Sequence, residues 1–247
     1  MGVRGVHEAK SHAENAYCTF TYDDEHLPYD RSLRPKDMQL FWKRLRKRLG
    51  DEKKIKYMMC GEYGDESWRP HYHACVFGYC PSDLRFWCDS KGHNLYRSPF
   101  LEKVWGNGMV FVGDVTFQSA AYVGGYILKK VNGAMADEHY KRFDIDTGEI
   151  FWLRPEYICL SNGIGRSWFE RFHTDWYVDG TCVVDGVKQK TPRYYDQKME
   201  ELFPEAMAEI RELRRIRASE KKHDNTPRRL RDREVVSKAR AVLYGHK

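Results

Sequence analysis

The sequence predicts an α+β fold: a central, largely antiparallel sheet with helices packed on one side of it, followed by a helical basic tail. Three observations carry that prediction. Runs rich in β-branched and aromatic residues recur at 16–22, 54–60, 70–78 and 109–115, separated by turn signals or by helical periodicity. The order strand, helix, strand, strand, insertion, strand, helix is that of an α+β unit. Charge is also uneven, because residues 188–247 hold 17 Lys or Arg against 10 Asp or Glu while the other 187 residues hold 25 against 26. A basic tail on a near-neutral body suits either a solvated helix or a chain that holds a polyanion. The domains expected are a core at 1–135, a packed extension at 136–195 and a charged helical tail at 196–247.

Composition narrows the class. At 247 residues the chain can bury a proper core, and no run approaches the roughly 20 apolar residues of a membrane span. Met1 to Lys10 lacks the apolar stretch of a signal peptide. Seven cysteines form an odd set with no C-x-x-C pair, which points to reduced thiols in a cytoplasm and away from a disulfide framework.

Taken in order, Ala16-Tyr17-Cys18-Thr19-Phe20-Thr21-Tyr22 predicts a strand that gives way to an acidic loop at Asp23-Asp24-Glu25. Pro35 at a first helical position, Asp37 in the first turn and Phe41, Leu45 and Leu49 at i, i+4 and i+8 predict a helix closed by Gly50. Its other face carries Lys43, Arg44, Arg46, Lys47 and Arg48, a solvated surface or a phosphate contact. Residues 54–60 predict a second strand, and Gly61-Glu62-Tyr63-Gly64-Asp65 a turn that brings Glu62 back toward the next strand. That strand is read from Arg69-Pro70-His71-Tyr72-His73-Ala74-Cys75-Val76-Phe77-Gly78. An extended segment throws alternate side chains to one side, so His71 and His73 are aimed together. Pro70 stands where the strand begins and Val76 and Phe77 bury its far end, which leaves the histidines near the mouth of the sheet.

Residues 81–100 read as an inserted excursion; Cys80, Cys88 and His93 have no fourth ligand at ordinary zinc spacing. A short helix at 99–105 and a strand at 109–115 come next. The run from Thr116 to Lys130 predicts a helix capped near Thr116 and stopped at Asn132-Gly133, with Tyr122 and Tyr126 at i and i+4 on one face and Lys129 a turn further. Gly124 and Gly125 cost about 1 kcal/mol each in a helix, so the backbone is expected to be closely approached there, by nucleic acid or by the sheet. Residues 149–195 mix short strands, a tight turn at 161–165, an aromatic helix with Trp168, Phe169 and Phe172, and an Asp185-Gly186 hairpin. From Asp196 on, a charged helix is interrupted at Pro204, and Asp224-Asn225-Thr226-Pro227 sets off a last basic helix.

A lone H-x-H fits a hydrogen-bonded histidine pair as well as a metal site, and two tyrosines on a helix are ordinarily core aromatics. The conjunction changes that. If Glu62, His71 and His73 share a divalent cation, three protein ligands leave positions open for substrate and water. Such a mixed set accepts Mn²⁺, Mg²⁺, Zn²⁺ or Co²⁺; magnesium and manganese are the usual partners of phosphate chemistry. A phenol across that opening is a nucleophile for phosphorus, with Lys129 placed to stabilise tyrosinate or the departing oxygen.

The Phe20-Thr21-Tyr22 strand end, the Arg69-Pro70-His71-Tyr72-His73 motif and Tyr122-Val123-Gly124-Gly125-Tyr126-Ile127-Leu128-Lys129-Lys130 resemble the three ordered motifs of HUH rolling-circle replication initiators. More narrowly, the chain is similar to the replication-associated proteins of gokushovirus-like Microviridae, small single-stranded-DNA phages. That likeness adds the stretches 21–28, 60–64, 119–122, 163–165, 192–196 and 224–227 and extends over nearly the whole chain. It implies an HUH Rep-type sheet of RRM/ferredoxin-like kind, a Mg or Mn site at His71 and His73 with Glu62 as third ligand, and Tyr122 and Tyr126 as paired nucleophiles. It implies metal-dependent nicking of single-stranded viral DNA at the origin, through a 5′-phosphotyrosine, and rejoining after one round. The partners implied are the origin strand and a host DNA polymerase and helicase, in the bacterial cytoplasm, with no membrane. A transposase or relaxase of the same chemistry and a non-catalytic single-strand binder are the alternatives. One departure is that relatives often begin with a cysteine-rich stretch, and Met1 to His7 contains no cysteine.

Overall fold

The computed structural model describes residues 1–90, 92–125, 130–143, 147–176 and 180–243. Its strands in chain order are β1 (Asn15–Thr21), β2 (Lys56–Tyr63), β3 (Pro70–Phe77), β4 (Arg85–Ser90), β5 (His93–Arg97), β6 (Val110–Gly113), β7 (Lys141–Phe143), β8 (Ile150–Trp152), β9 (Tyr157–Leu160), β10 (Thr181–Val184) and β11 (Val187–Lys190). Seven of them form one sheet in the order β4-β5-β6-β1-β3-β2-β9, and the pairings described in it are antiparallel. β7 with β8 and β10 with β11 make separate two-stranded ribbons. The helices are α1 (Gly2–Ala9), α2 (Pro35–Leu49), α3 (Pro99–Trp105), α4 (Phe117–Gly125), α5 (Ala136–Tyr140), α6 (Arg166–Trp176), α7 (Arg193–Leu202), α8 (Pro204–Glu220) and α9 (Pro227–Leu243). The α+β class expected from the sequence is the one observed. No helix among the described residues is long and apolar enough to cross a membrane, and no disulfide joins the cysteines.

The chain divides into two compact units, residues 1–173 with 184–187 and residues 174–183 with 188–247. In the first, α2 forms as its sequence dictates. Pro35 opens it, Asp37 complements the N-terminal dipole, and Gly50 closes it at φ 77°, a backbone angle that suits glycine. Its apolar stripe of Met38, Phe41, Trp42 and Leu45 packs with Leu101, Val104 and Trp105 of α3 on one face of the sheet, over Phe20, Met59, Tyr72, Ala74, Val76, Val110 and Val112. The rings interlock edge to face: Phe20 lies 4.6 Å from Phe41 and 5.6 Å from Trp105.

Helices were expected on one side of the sheet only, and the structure corrects this. β2 and β3 are apolar on both faces, so Met58, Cys60, Cys75 and Phe77 form a second core with Ala120 and Val123 of α4 and with Ile164. α1, which the sequence reading did not foresee, lies against α4. A Cβ on Gly5 would come within 2.8 Å of the Ala120 Cβ, and one on Gly2 within 3.1 Å of the Ala121 Cβ, so glycine is what lets the two helices meet. Gly124 is bare for the same reason: a Cβ there would collide with Met1. What approaches Gly124 is therefore the N-terminal segment, while a Cβ on Gly125 would meet nothing within 4 Å.

Two further differences bear on the site. Glu62 was expected in a turn but belongs to β2, directly opposite His71, because the ladder continues to Tyr63↔Pro70. The inserted excursion at 81–100 is largely a β-hairpin, β4–β5, that widens the sheet beyond β6, and Cys80, Cys88 and His93 form no metal cluster among the described residues.

In the second unit Arg214 of α8 grips both carboxylate oxygens of Asp196 at 2.9 and 3.0 Å and the Gly180 carbonyl at 2.9 Å. Tyr195, Met199, Met207 and Ile210 are buried there, and the break at Pro204 and the separation of α9 after 224–226 fall where the sequence put them.

Candidate metal centre

The pairing register assembles the cluster. Glu62 opposes His71 across β2 and β3, and Cys60 opposes His73, so the carboxylate and both imidazoles emerge on one face near the end of the hairpin. Glu62 Oε1 lies 2.7 Å from His71 Nε2 and 2.8 Å from His73 Nε2. Ligand atoms of the three residues all fall within 4.8 Å of one another. Glu62 is 2% exposed and its Oε2 atom is buried without a hydrogen-bond partner, a costly arrangement for a carboxylate that has nothing further to bind. Burial pushes the Glu62 pKa up, but the neighbouring His71 and His73 imidazoles outweigh it and hold the carboxyl below its usual range.

The donor chemistry fits a cation. His71 Nδ1 lies 3.1 Å from the Arg69 carbonyl, an acceptor, while its Nε2 faces the Glu62 carboxylate, also an acceptor. A neutral imidazole has one N–H and can satisfy only one of them. Donating Nδ1–H to Arg69 turns a bare Nε2 lone pair toward Oε1, and a divalent ion shared by the two atoms resolves the conflict, in the manner of metal-bound histidines oriented by a backbone carbonyl. Glu62, His71 and His73 therefore suit a divalent ion, with no preference among metals visible in the set.

Sequence reasoning missed the groups behind His73. Its Nδ1 meets the Tyr17 hydroxyl at 2.8 Å and Thr19 Oγ1 at 2.9 Å, and the Tyr17 ring stacks on it with centroids 5.8 Å apart. Burial, reinforced by neighbouring Tyr122, pushes the Tyr17 pKa far up, so its hydroxyl stays protonated. The signal was available in outline: Tyr17 and Thr19 alternate along β1, on the face that pairs with His73, once an antiparallel β1–β3 ladder is assumed.

Tyr122 stands on α4, which begins with a reciprocal cap. Ser119 N–H donates to Thr116 Oγ1 at 3.1 Å and Thr116 N–H to Ser119 Oγ at 2.8 Å. Ala120 and Val123 anchor the helix in the second core, and its outer edge turns Tyr122 over the cluster. The Tyr122 hydroxyl lies 3.4 Å from Glu62 Oε1, and its ring meets His73 edge-on at 5.1 Å between centroids. Tyr122 is also 37% exposed, so a ligand can reach it from solvent. Tyr126 and Lys129 lie outside the described residues. Four of the six residues singled out from the sequence thus converge within one site.

Residues 15–131 match the family model described as "Replication-associated protein ORF2/G2P". Among its relatives, the Replication-associated protein VP4 of Bdellovibrio phage phiMH2K is 32% identical over 215 residues, 84% of this chain and 64% of that protein. The Replication-associated protein ORF2 of Spiroplasma virus 4 is 34% identical over 81% of this chain and 62% of its own length. For the Replication-associated protein ORF4 of Chlamydia phage 1 the figures are 32%, 83% and 51%. The chain therefore spans between about half and two thirds of the length of these curated relatives. No solved structure matches it. The resemblance read from the motifs is borne out.

Proposed function

We propose that the chain initiates rolling-circle replication of a single-stranded-DNA phage as a metal-dependent tyrosine endonuclease and strand transferase. The observation that carries this reading is the Tyr122 hydroxyl 3.4 Å from a carboxylate shared by two histidines. The family supports it too, since the relatives are replication-associated proteins of phages.

Glu62, His71 and His73 hold the ion, Mg or Mn by the habit of phosphate chemistry, and when bound it supplies Lewis-acid polarisation of the scissile phosphate. The chain's own residues do the rest. Tyr17 and Thr19 fix the His73 ring, and the Arg69 carbonyl fixes His71. The Tyr122 oxygen attacks phosphorus, the P–O bond to the 3′ oxygen breaks, and that oxygen leaves as a 3′ hydroxyl after taking up a proton. The phenol proton leaves to solvent. A phosphodiester is exchanged for a phosphotyrosine ester, so rejoining by the reverse attack needs no other energy source. Tyr126 is assigned the second cut, which would let the two tyrosines alternate, and Lys129 stabilises the departing oxygen. The substrate is the viral origin strand, and the free 3′ end is left for a host DNA polymerase, with a host helicase opening the duplex, in the bacterial cytoplasm. The domain division proposed is the endonuclease core at 1–135, its extension at 136–195 and the tail at 196–247.

The test is incubation with a single-stranded origin oligonucleotide and Mn²⁺. A denaturant-resistant protein–DNA adduct is expected, abolished by EDTA and by the Tyr122→Phe/Tyr126→Phe double variant. An oligonucleotide that shifts on a native gel yet never cross-links would overturn the nuclease reading.

A further inference from the structure

The face of the sheet that carries the cluster does not end at β1. Pairing register strings directly opposed residues across five adjacent strands: His73 on β3, Thr19 on β1, Phe111 on β6, Arg97 on β5 and Arg85 on β4. Opposed residues share a face, so the row runs outward from the candidate centre. At about 4.8 Å per strand, Phe111 stands roughly 10 Å and Arg85 roughly 19 Å from His73. The β4–β5 ladder contains a bulge between Phe86 and Cys88, and the extra residue is Trp87. Bulges re-aim a side chain. Here the Trp87 ring lies 6.3 Å from Phe111 and has the Arg97 guanidinium 5.1 Å above its centroid, which puts it on the same face as the row.

Trp87 is 52% exposed, and Arg85 beside it is exposed as well, whereas Val110 and Val112, on the opposite face of β6, are buried with α3. Folding therefore does not account for an indole at that position. An aromatic pair flanked by two arginines, continuous with a phosphate-handling site, matches the requirements of single-stranded nucleic acid: π-faces for the bases and positive charge for the backbone. We infer that β4, β5 and β6 form a stacking platform for the single-stranded DNA that enters the candidate centre. Trp87 and Phe111 receive bases, Arg85 lies along the strand's phosphates, and Arg97, ion-paired with Glu102 at 2.7 Å, braces the Trp87 ring. The inference rests on reading the centre as a single-strand nuclease. It gives the inserted hairpin a task, positioning the flanking nucleotides a few residues of DNA away from the cut.

The experiment uses the full chain in EDTA and a fluorescein-labelled 20-mer of oligothymidylate, followed by anisotropy at several salt concentrations. Trp87→Ala is expected to weaken binding by about ten-fold or more, the loss of one stacked base, with the salt slope unchanged. Trp87→Phe, which keeps an aromatic face, recovers most of it. Arg85→Gln instead reduces the salt slope by about 0.7, the loss of one phosphate contact. Wild-type affinity in Trp87→Ala overturns the platform, as does a Trp87→Ala protein that changes oligomeric state by light scattering while binding DNA normally, since the surface would then be a self-association face. The two readings fail separately. A wild-type adduct with Trp87-independent binding sinks the platform alone, and Trp87-dependent binding with no adduct on any oligonucleotide sinks the nuclease alone.

Discussion

The two faces of β3 are one residue apart in sequence and opposite in purpose. Tyr72, Ala74 and Val76 enter the aromatic core under α2 and α3, where each is 2% exposed or less. His71 and His73 point the other way, into a site with a buried carboxylate and a half-open tyrosine. The first face holds its neighbours by dispersion and area along its whole length; the second does so at Cys75 and Phe77, and at His71 and His73 by directed bonds to atoms that a water molecule or ion could replace. Because strand side chains alternate with period two, a one-residue slip of β3 would exchange the sets, so the apolar face fixes the register that the polar face needs.

That division can be broken from either side. The largest effect on stability is expected from Phe20→Ala, which empties a fully buried position between Phe41 and Trp105; urea unfolding should show a loss of about 3–5 kcal/mol. His73→Ala attacks the other face. Adduct formation with an origin oligonucleotide in Mn²⁺ should fall by at least about 100-fold, since even groups one step removed from a metal cost 10–100-fold, while the melting temperature in EDTA drops less than for Phe20→Ala. Equal losses of stability from both would mean that the faces are not specialised.

Gly5→Val sharpens the comparison by acting on the support of Tyr122. The side chain has no room against Ala120, so overpacking of about 1–3 kcal/mol is expected by chemical unfolding, together with slower adduct formation as α4 is displaced. Unchanged activity would show that α1 does not position Tyr122.

The smallest expected effect is on pH. His7 of α1 is buried against Trp168, rings 3.5 Å apart, and burial, helped by the charge of Lys10, pushes its pKa down from 6.5 to about 3. Between those values the unfolded chain binds a proton that the folded chain does not, so this contribution is complete above pH 6.5 and is lost as pH falls. The slope is at most about 1.4 kcal/mol per pH unit. Glu8 acts in the same sense at lower pH. Burial pushes its pKa up, but bonds from Lys56, His12 and the Gly165 N–H outweigh this and hold it low. Melting curves from pH 7.5 to 5 should show the decline, and His7→Phe, which keeps the stack, should flatten it. A His7→Phe profile parallel to wild type would rule His7 out as its source.

Much of the architecture was legible locally. Pro35 and Gly50 bounded α2 to the residue, Thr116 capped α4, and Asp185-Gly186, both at positive φ, turned the β10–β11 hairpin. α1 escaped because Gly2 and Gly5 are poor helix formers in isolation; their value lies in letting Ala120 and Ala121 approach. The β4–β5 hairpin escaped because an edge pair with exposed faces has no hydrophobic alternation to detect.

The sequence by itself determined the candidate ligand types, the alternation that aims two histidines together, and the order of motifs that carries the family resemblance, since these depend on neighbours along the chain. Only the tertiary structure decided that Glu62 belongs to a strand opposite His71, that Tyr17 and Thr19 stand behind His73, and that α4 sets Tyr122 over the cluster. Those facts are pairing registers and helix contacts between segments tens of residues apart, and their energy comes from burying both faces of one sheet at once, which no local window contains.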